Sequence, residues 1–165
     1  VKNNLNKHPY KHVVLGGSFD HLHQGHKKLL HTAFFYGEKV HIGITAQEVL
    51  LKKKYTRDAQ PLETRINQLK NFLQKHNYLD RAEIFVINTV EGGADIRPEL
   101  EAIIVSDDDH VIANAKYINE KRLENGLKRL IIIVVPRVLT KDGKPISSTR
   151  IRRGEHFKDS DLIFD

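Results

Sequence analysis

The sequence predicts an α/β fold: a Rossmann-like, doubly wound, five-stranded parallel sheet with helices on both faces. Three observations lead there. Five apolar runs of strand length recur along the chain, helical stretches separate several of them, and most of the runs are nearly continuous. A continuous apolar strand must be covered on both faces, which a parallel sheet between two helix layers achieves.

Taken in order, residues 13–15 are a buried strand that turns sharply at Gly16 and Gly17. From His26 the apolar residues Leu29, Leu30, Ala33 and Phe34 recur at helical spacing, with Gly37 expected as the C-cap. "KVHIGIT" alternates Val40, Ile42 and Ile44 as a second strand. Pro61 suits a helix start, and Leu62, Ile66, Leu69 and Leu73 then line one face. "AEIFVI", "EAIIVS" and "LIIIVVP" complete the strands. Between the last two, residues 110–126 read as a helix with Asp109 as N-cap. A short final helix is expected in "SSTRIRRGE", capped by Ser147 or Ser148. The whole chain, 1–165, reads as one domain, with 1–11 an N-terminal extension and 156–165 a C-terminal tail.

Composition narrows the function. The 165 residues carry no cysteine, which excludes a disulfide framework, a thiolate nucleophile and a cysteine zinc site. No apolar run approaches the ~20 residues of a membrane span, and "VKNNLNKHPYKH" has no signal-peptide core. A cytoplasmic location is the expectation. The net charge of +6 favours anionic partners, either nucleic acid or small phosphorylated substrates. The basic residues gather at the ends of expected strands and not along one helix, which disfavours a nucleic-acid-binding module.

In such sheets ligands bind beyond the carboxyl ends of the strands, where helices begin. "GGSFDHLHQGH" and "SSTRIRR" both fall there. The first holds His21, His23 and His26; no HExxH follows, so a dedicated metal site is the weaker reading and core histidines are the plain one. Gly25, between His23 and His26 at a helix start, would let an anion approach free backbone N–H groups, with imidazoles donating beside them. In the second, Ser147, Ser148 and Thr149 precede Arg150, Arg152 and Arg153, a set of hydroxyls, guanidinium and helix dipole that suits a polyphosphate. By itself it would also serve as an ordinary serine cap with a solvated basic face. Lys52, Lys53 and Lys54 follow the second strand and could reach the same sheet edge, although a charge run of this kind is by itself usually a solvated face. The chain has neither a Walker A loop nor a GxSxG elbow.

Together these residues resemble the HxGH nucleotidyltransferases, most closely the archaeal and eukaryotic type of phosphopantetheine adenylyltransferase. "GGSFDHLHQGHKKLL" is similar to that family's GGTFDxLHxGH motif and "ISSTRIRRGE" to its closing ISSTxIRxGE; "QPLETR" and "INEKRLENGL" fit between them. The resemblance runs from about His12 to Glu155. It implies transfer of the adenylyl group of ATP to 4′-phosphopantetheine, giving dephospho-coenzyme A and pyrophosphate, with Mg²⁺ accompanying the ATP and no protein metal ligands. It also implies catalytic roles for His26 and Lys53, with His26 at the α-phosphate and Lys53 chosen among three neighbours. Nucleotide contacts would come from Gly16, Gly17, Ser18, Phe19, His23 and Gly25, and from Ser147, Ser148, Thr149 and Arg152 at the β- and γ-phosphates. Ser18 and Lys53 would also touch the acceptor. Relatives acting on nicotinamide mononucleotide, FMN or glycerol phosphate carry different closing motifs. Ser18 stands where the family usually has threonine, and "SDDDHVIANAKYIN" replaces its SEET stretch at about two residues greater length.

Overall fold

The computed structural model describes residues 7–53 and 56–164. The elements run β1 (Tyr10–Gly17), α1 (Gln24–Tyr36), β2 (Gly37–Thr45), α2 (Gln47–Leu50), α3 (Leu62–Lys75), β3 (Ala82–Ile87), β4 (Ala102–Ser106), α4 (Asp109–Glu124), β5 (Ile131–Val135), β6 (Leu139–Thr140), α5 (Ser148–Arg152) and β7 (Leu162–Ile163). Strands β1 to β5 form one sheet in the order β3-β2-β1-β4-β5, and every neighbouring pair is parallel. The order reverses between β1 and β4. That is the switch point of a doubly wound sheet, where the strand ends leave a crevice.

Strand alternation sorts the apolar residues onto two faces. Val13, Leu15, Val40, Ile42, Ile44, Ala102 and Ile104 pack with Leu30 and Phe34 of α1 and Leu69 and Leu73 of α3. Val14, Ile103 and Val105 pack on the other side with Ala115 and Ile118 of α4. A third, smaller cluster of Val138, Ile146 and Leu162 sits under the β6–β7 pair. The expected five-stranded parallel sheet, covered on both faces, is therefore present.

Several boundaries differ from the sequence reading. β1 starts at Tyr10, inside the stretch set aside as an extension, because Tyr10 pairs with Gly37 of β2. Gly37 is the C-cap of α1, its N–H donating to the Ala33 carbonyl, but its backbone is extended (φ −106°, ψ 133°), not left-handed, and already belongs to β2. Its lack of a side chain serves packing, since a Cβ there would run into the Val13 side chain. The N-cap of α4 is Asp108, whose carboxylate accepts from the N–H of His110 at 2.9 Å, with Asp109 already helical. The start is early because the Asp107 N–H is drawn to the Val135 carbonyl, 2.9 Å away, as the chain leaves β4. The short α2 and the β6–β7 pair carry no periodic signal. Much of the tail at 156–165 is ordered, forming a 3₁₀ turn at Asp159–Asp161 and then β7.

Candidate active site

The turn after β1 is strained and held from several sides. Phe19 and His21 both have left-handed backbones (φ 49° and 47°), a conformation that costs bulky residues about 1–2 kcal/mol each. The Phe19 ring is buried beneath it. Arg65, on the inner face of α3 and 0% exposed, donates to the carbonyls of Ser18 (3.0 Å), Thr45 (2.8 Å) and Gln60 (3.0 Å). The His21 N–H donates to the Gln60 side chain at 2.8 Å. Burial lowers the Arg65 pKa from its usual value, while neighbouring Asp20 favours the charged form.

Beyond the turn, His23 caps α1. Its Nδ1 accepts the Gly25 N–H at 3.0 Å, and the His23 N–H donates to Nδ1 of His26 at 3.2 Å. A nitrogen that accepts from a backbone N–H carries no proton in the neutral ring, so both imidazoles hold theirs on Nε2. The rings stack at 3.7 Å between centroids. Burial pushes the His23 pKa down to about 4, with Asp20 opposing and His21 and Lys27 adding to the fall. His26 is lowered well below the usual value, again by burial first and then by His23. Two neutral Nε2–H donors result.

The space over Gly25 is filled from within the chain. A Cβ on Gly25 would lie 2.9 Å from His23 Cε1 and 3.5 Å from Ile146. The glycine thus admits the His23 ring, and its N–H is taken by that ring, a correction to the expectation of a free N–H facing an anion.

The two motifs meet at Asp20, which the sequence reading passed over. Asp20 is fully buried, accepts the Gln60 N–H at 2.8 Å, and pairs with Arg152 at 2.5 Å. Its carbonyl accepts the Ser148 hydroxyl at 2.6 Å. In α5, the Ser147 side chain accepts the Arg150 N–H at 3.2 Å as N-cap, and the Thr149 hydroxyl accepts from Arg152 at 3.1 Å. The O–H donors of Ser147 and Thr149 are not consumed by those bonds; that of Ser148 is. The signal for Asp20 was its place inside "SFDHLH" beside residues already singled out. For Arg65 it was a charged residue on the helical face of Leu62 and Leu69.

A cleft of about 590 Å³ opens at the carboxyl ends of β1 to β4, and Gly16, Gly17, Phe19, His26 and Lys53 line it. It is walled by apolar residues of β3 and β4 and by the start of α4, including His110 and Asn114 from the divergent segment. Lys53 reaches the cleft, its carbonyl anchored by the Thr56 hydroxyl at 2.8 Å, whereas Lys52 does not line it and Lys54 lies outside the described residues. Ser18, His23, Gly25 and the closing hydroxyls do not line this cleft; the Ser148 bond to Asp20 and the stacking of His23 on His26 connect them to residues that adjoin or line it. Among the described residues, no group of three or more His, Asp or Glu is arranged to hold a metal ion.

The cytidylyltransferase-like family profile matches residues 14–154. The phosphopantetheine adenylyltransferase of Thermococcus gammatolerans is 42% identical over 146 residues, covering 88% of this chain and 90% of that protein. Its counterpart in Methanopyrus kandleri is 36% identical over 143 residues, covering 87% and 89%. Among solved structures, an Archaeoglobus fulgidus protein described as of unknown function superposes with a TM-score of 0.64 at 31% identity, over 74% of this chain and 87% of that one. A bifunctional NMN adenylyltransferase/ADP ribose pyrophosphatase from Francisella tularensis shares the fold, with a TM-score of 0.59 at 18% identity over 87% of this chain and 41% of that one. The motifs read from the sequence, the strained turn they build and these relatives agree: the chain belongs to the cytidylyltransferase-like family, among the phosphopantetheine adenylyltransferases.

Proposed function

We propose that this protein transfers the adenylyl group of ATP to 4′-phosphopantetheine, releasing pyrophosphate and forming dephospho-coenzyme A, a step of coenzyme A biosynthesis. The observation that carries the reading is the 42% identity to such an enzyme over 88% of the chain. The geometry supplies the chemistry. A phosphate oxygen of the acceptor attacks the α-phosphorus, the bond from α-phosphorus to the bridging oxygen of the β-phosphate breaks, and pyrophosphate leaves with that electron pair. No enzyme nucleophile and no proton transfer are needed, so catalysis is positioning and charge stabilisation.

His26 donates its Nε2–H to the α-phosphate, where negative charge rises as the fifth oxygen approaches. Because its Nδ1 is tied to the backbone, the donor is aimed before substrate arrives. Lys53 offsets the repulsion between acceptor phosphate and nucleotide and touches both. The O–H groups of Ser147 and Thr149 serve the β- and γ-phosphates, and Arg152, locked to Asp20, holds α5 in place for them. Mg²⁺ fits as an ion carried by the phosphates themselves, since Asp20 is occupied by Arg152 and the Gln60 N–H. When bound, it neutralises charge on the departing pyrophosphate. The cleft's apolar wall is suited to a pantetheine arm. We place the reaction in the cytoplasm; no helix among the described residues is long and apolar enough to cross a membrane.

The test is pyrophosphate release from ATP and Mg²⁺ with four acceptors. Phosphopantetheine should support turnover, with nicotinamide mononucleotide, FMN and glycerol phosphate near background. A higher kcat/KM for any of the other three would overturn the named substrate.

A further inference from the structure

A second hollow, of about 740 Å³, lies on the other side of the α1 N-terminus, bounded by α1, α3 and the C-terminal segment. It shares no lining residue with the His26 cleft. His23 lines this groove and His26 lines the cleft, so the stacked imidazole pair is the partition between two compartments.

We propose that this groove binds a nucleoside phosphate, at a site separate from the one where adenylyl transfer is placed. Its cations are available. Lys27 of α1 and Lys75 of α3 line it, and the side chain of neither has an ion pair or hydrogen bond among the described residues. Its carboxylates are engaged: Glu155 bonds Arg150 at 3.0 Å, and Asp159 accepts from the Gln24 amide at 3.3 Å. A phosphate group is therefore attracted and not repelled. The edge of the buried Phe72 ring and the half-buried Phe157, which carries the Arg150 guanidinium on one face, supply apolar wall for a base. Gln68 and Asn71 line it with amides. The Gln68 Oε1 is buried and has no donor in the structure, so a rotation of this side chain toward the groove would let an exocyclic amine or ribose hydroxyl satisfy it. The volume lies within the range of small-molecule sites.

Brief lysine acetylation of the full chain, read by peptide mass spectrometry with and without millimolar AMP, tests the site. AMP should slow modification of Lys75 and Lys27 several-fold and leave the exposed Lys116 of α4 unchanged. In equilibrium dialysis, Lys75→Glu should remove one equivalent of bound AMP while turnover without AMP stays at the wild-type value. Lys53 reports on the other compartment. Protection at Lys75, with or without Lys53, supports the groove. Protection at Lys53 alone leaves the adenylyl-transfer reading standing and overturns this one, as does absence of protection at both. An AMP stoichiometry unaltered by Lys75→Glu also overturns it.

Discussion

At His26, burial keeps the ring neutral and a backbone N–H decides which nitrogen carries the proton. A donor aimed at a developing charge contributes to the transition state more than to the ground state. His26→Ala should therefore lower kcat by roughly 10²-fold or more, with nucleotide affinity within a few-fold; unimpaired turnover would return the ring to a packing role. His23 adds a pH dependence whose sign follows from its depressed pKa. In the unfolded chain a histidine titrates near its ordinary value of about 6.5, whereas in the fold it titrates at about 4. Between those values the unfolded state holds the extra proton. The stabilisation is thus complete above the ordinary value, is lost as pH falls toward about 4, and changes no further below. His26, lowered by the same cause, acts in the same direction. Thermal midpoints measured across this window should fall with acidity. His23→Asn, which retains a capping side chain, should flatten part of that fall. An unchanged slope would mean that His23 is not buried in its neutral form.

At the level of elements, two junctions carry much of the site's precision. The passage from α1 to β2 has no loop, and Gly37 makes it possible by leaving room for Val13. Gly37→Ala should cost about 1–3 kcal/mol of stability by overpacking. Adding Val13→Ala should recover part of the loss, as a urea-denaturation cycle would reveal. The second junction joins the two motifs through Asp20. Removing one partner of a buried ion pair typically costs about 3–5 kcal/mol, and the Asp20 and Arg152 side chains are 0% and 8% exposed. Asp20→Asn leaves the Gln60 N–H an acceptor but turns an amide toward Arg152, so a loss of about 3 kcal/mol is expected, with KM for ATP rising more than kcat falls. If KM stayed constant, Asp20 would be only a scaffold residue. Helix positions were largely legible from periodicity because α1, α3 and α4 each bury one stripe. The caps shifted by a residue or so because three adjacent aspartates can each cap α4, and only the pull of Val135 on the Asp107 N–H chooses between them.

Across the whole molecule the core is divided. The main cluster spans β1, β2, β4, β5, α1 and α3, while Val138, Ile146 and Leu162 form a separate small one beneath the closing motif. Units with little shared apolar surface open independently. Leu69→Ala should therefore lower global stability by about 2–5 kcal/mol. Leu162→Ala should speed hydrogen exchange mainly over residues 138–164 and leave the sheet protected; global acceleration would show a single cooperative core. Apolar runs alone determined that there are five parallel strands with helices on both faces, because burial on both sides leaves no polar alternation to read. The paired "GGSFDHLHQGH" and "ISSTRIRRGE" determined the family, since their hydroxyls, imidazoles and guanidinium suit phosphate chemistry in any fold that unites them. Tertiary structure decided the strand order β3-β2-β1-β4-β5 and brought Lys53 to the edge of the cleft. It also gave Gly25 to the His23 ring, and it united the motifs through Asp20, 132 residues from Arg152. Local pattern reports what a residue needs to bury or expose; which distant partner satisfies that need is settled only when the chain closes on itself.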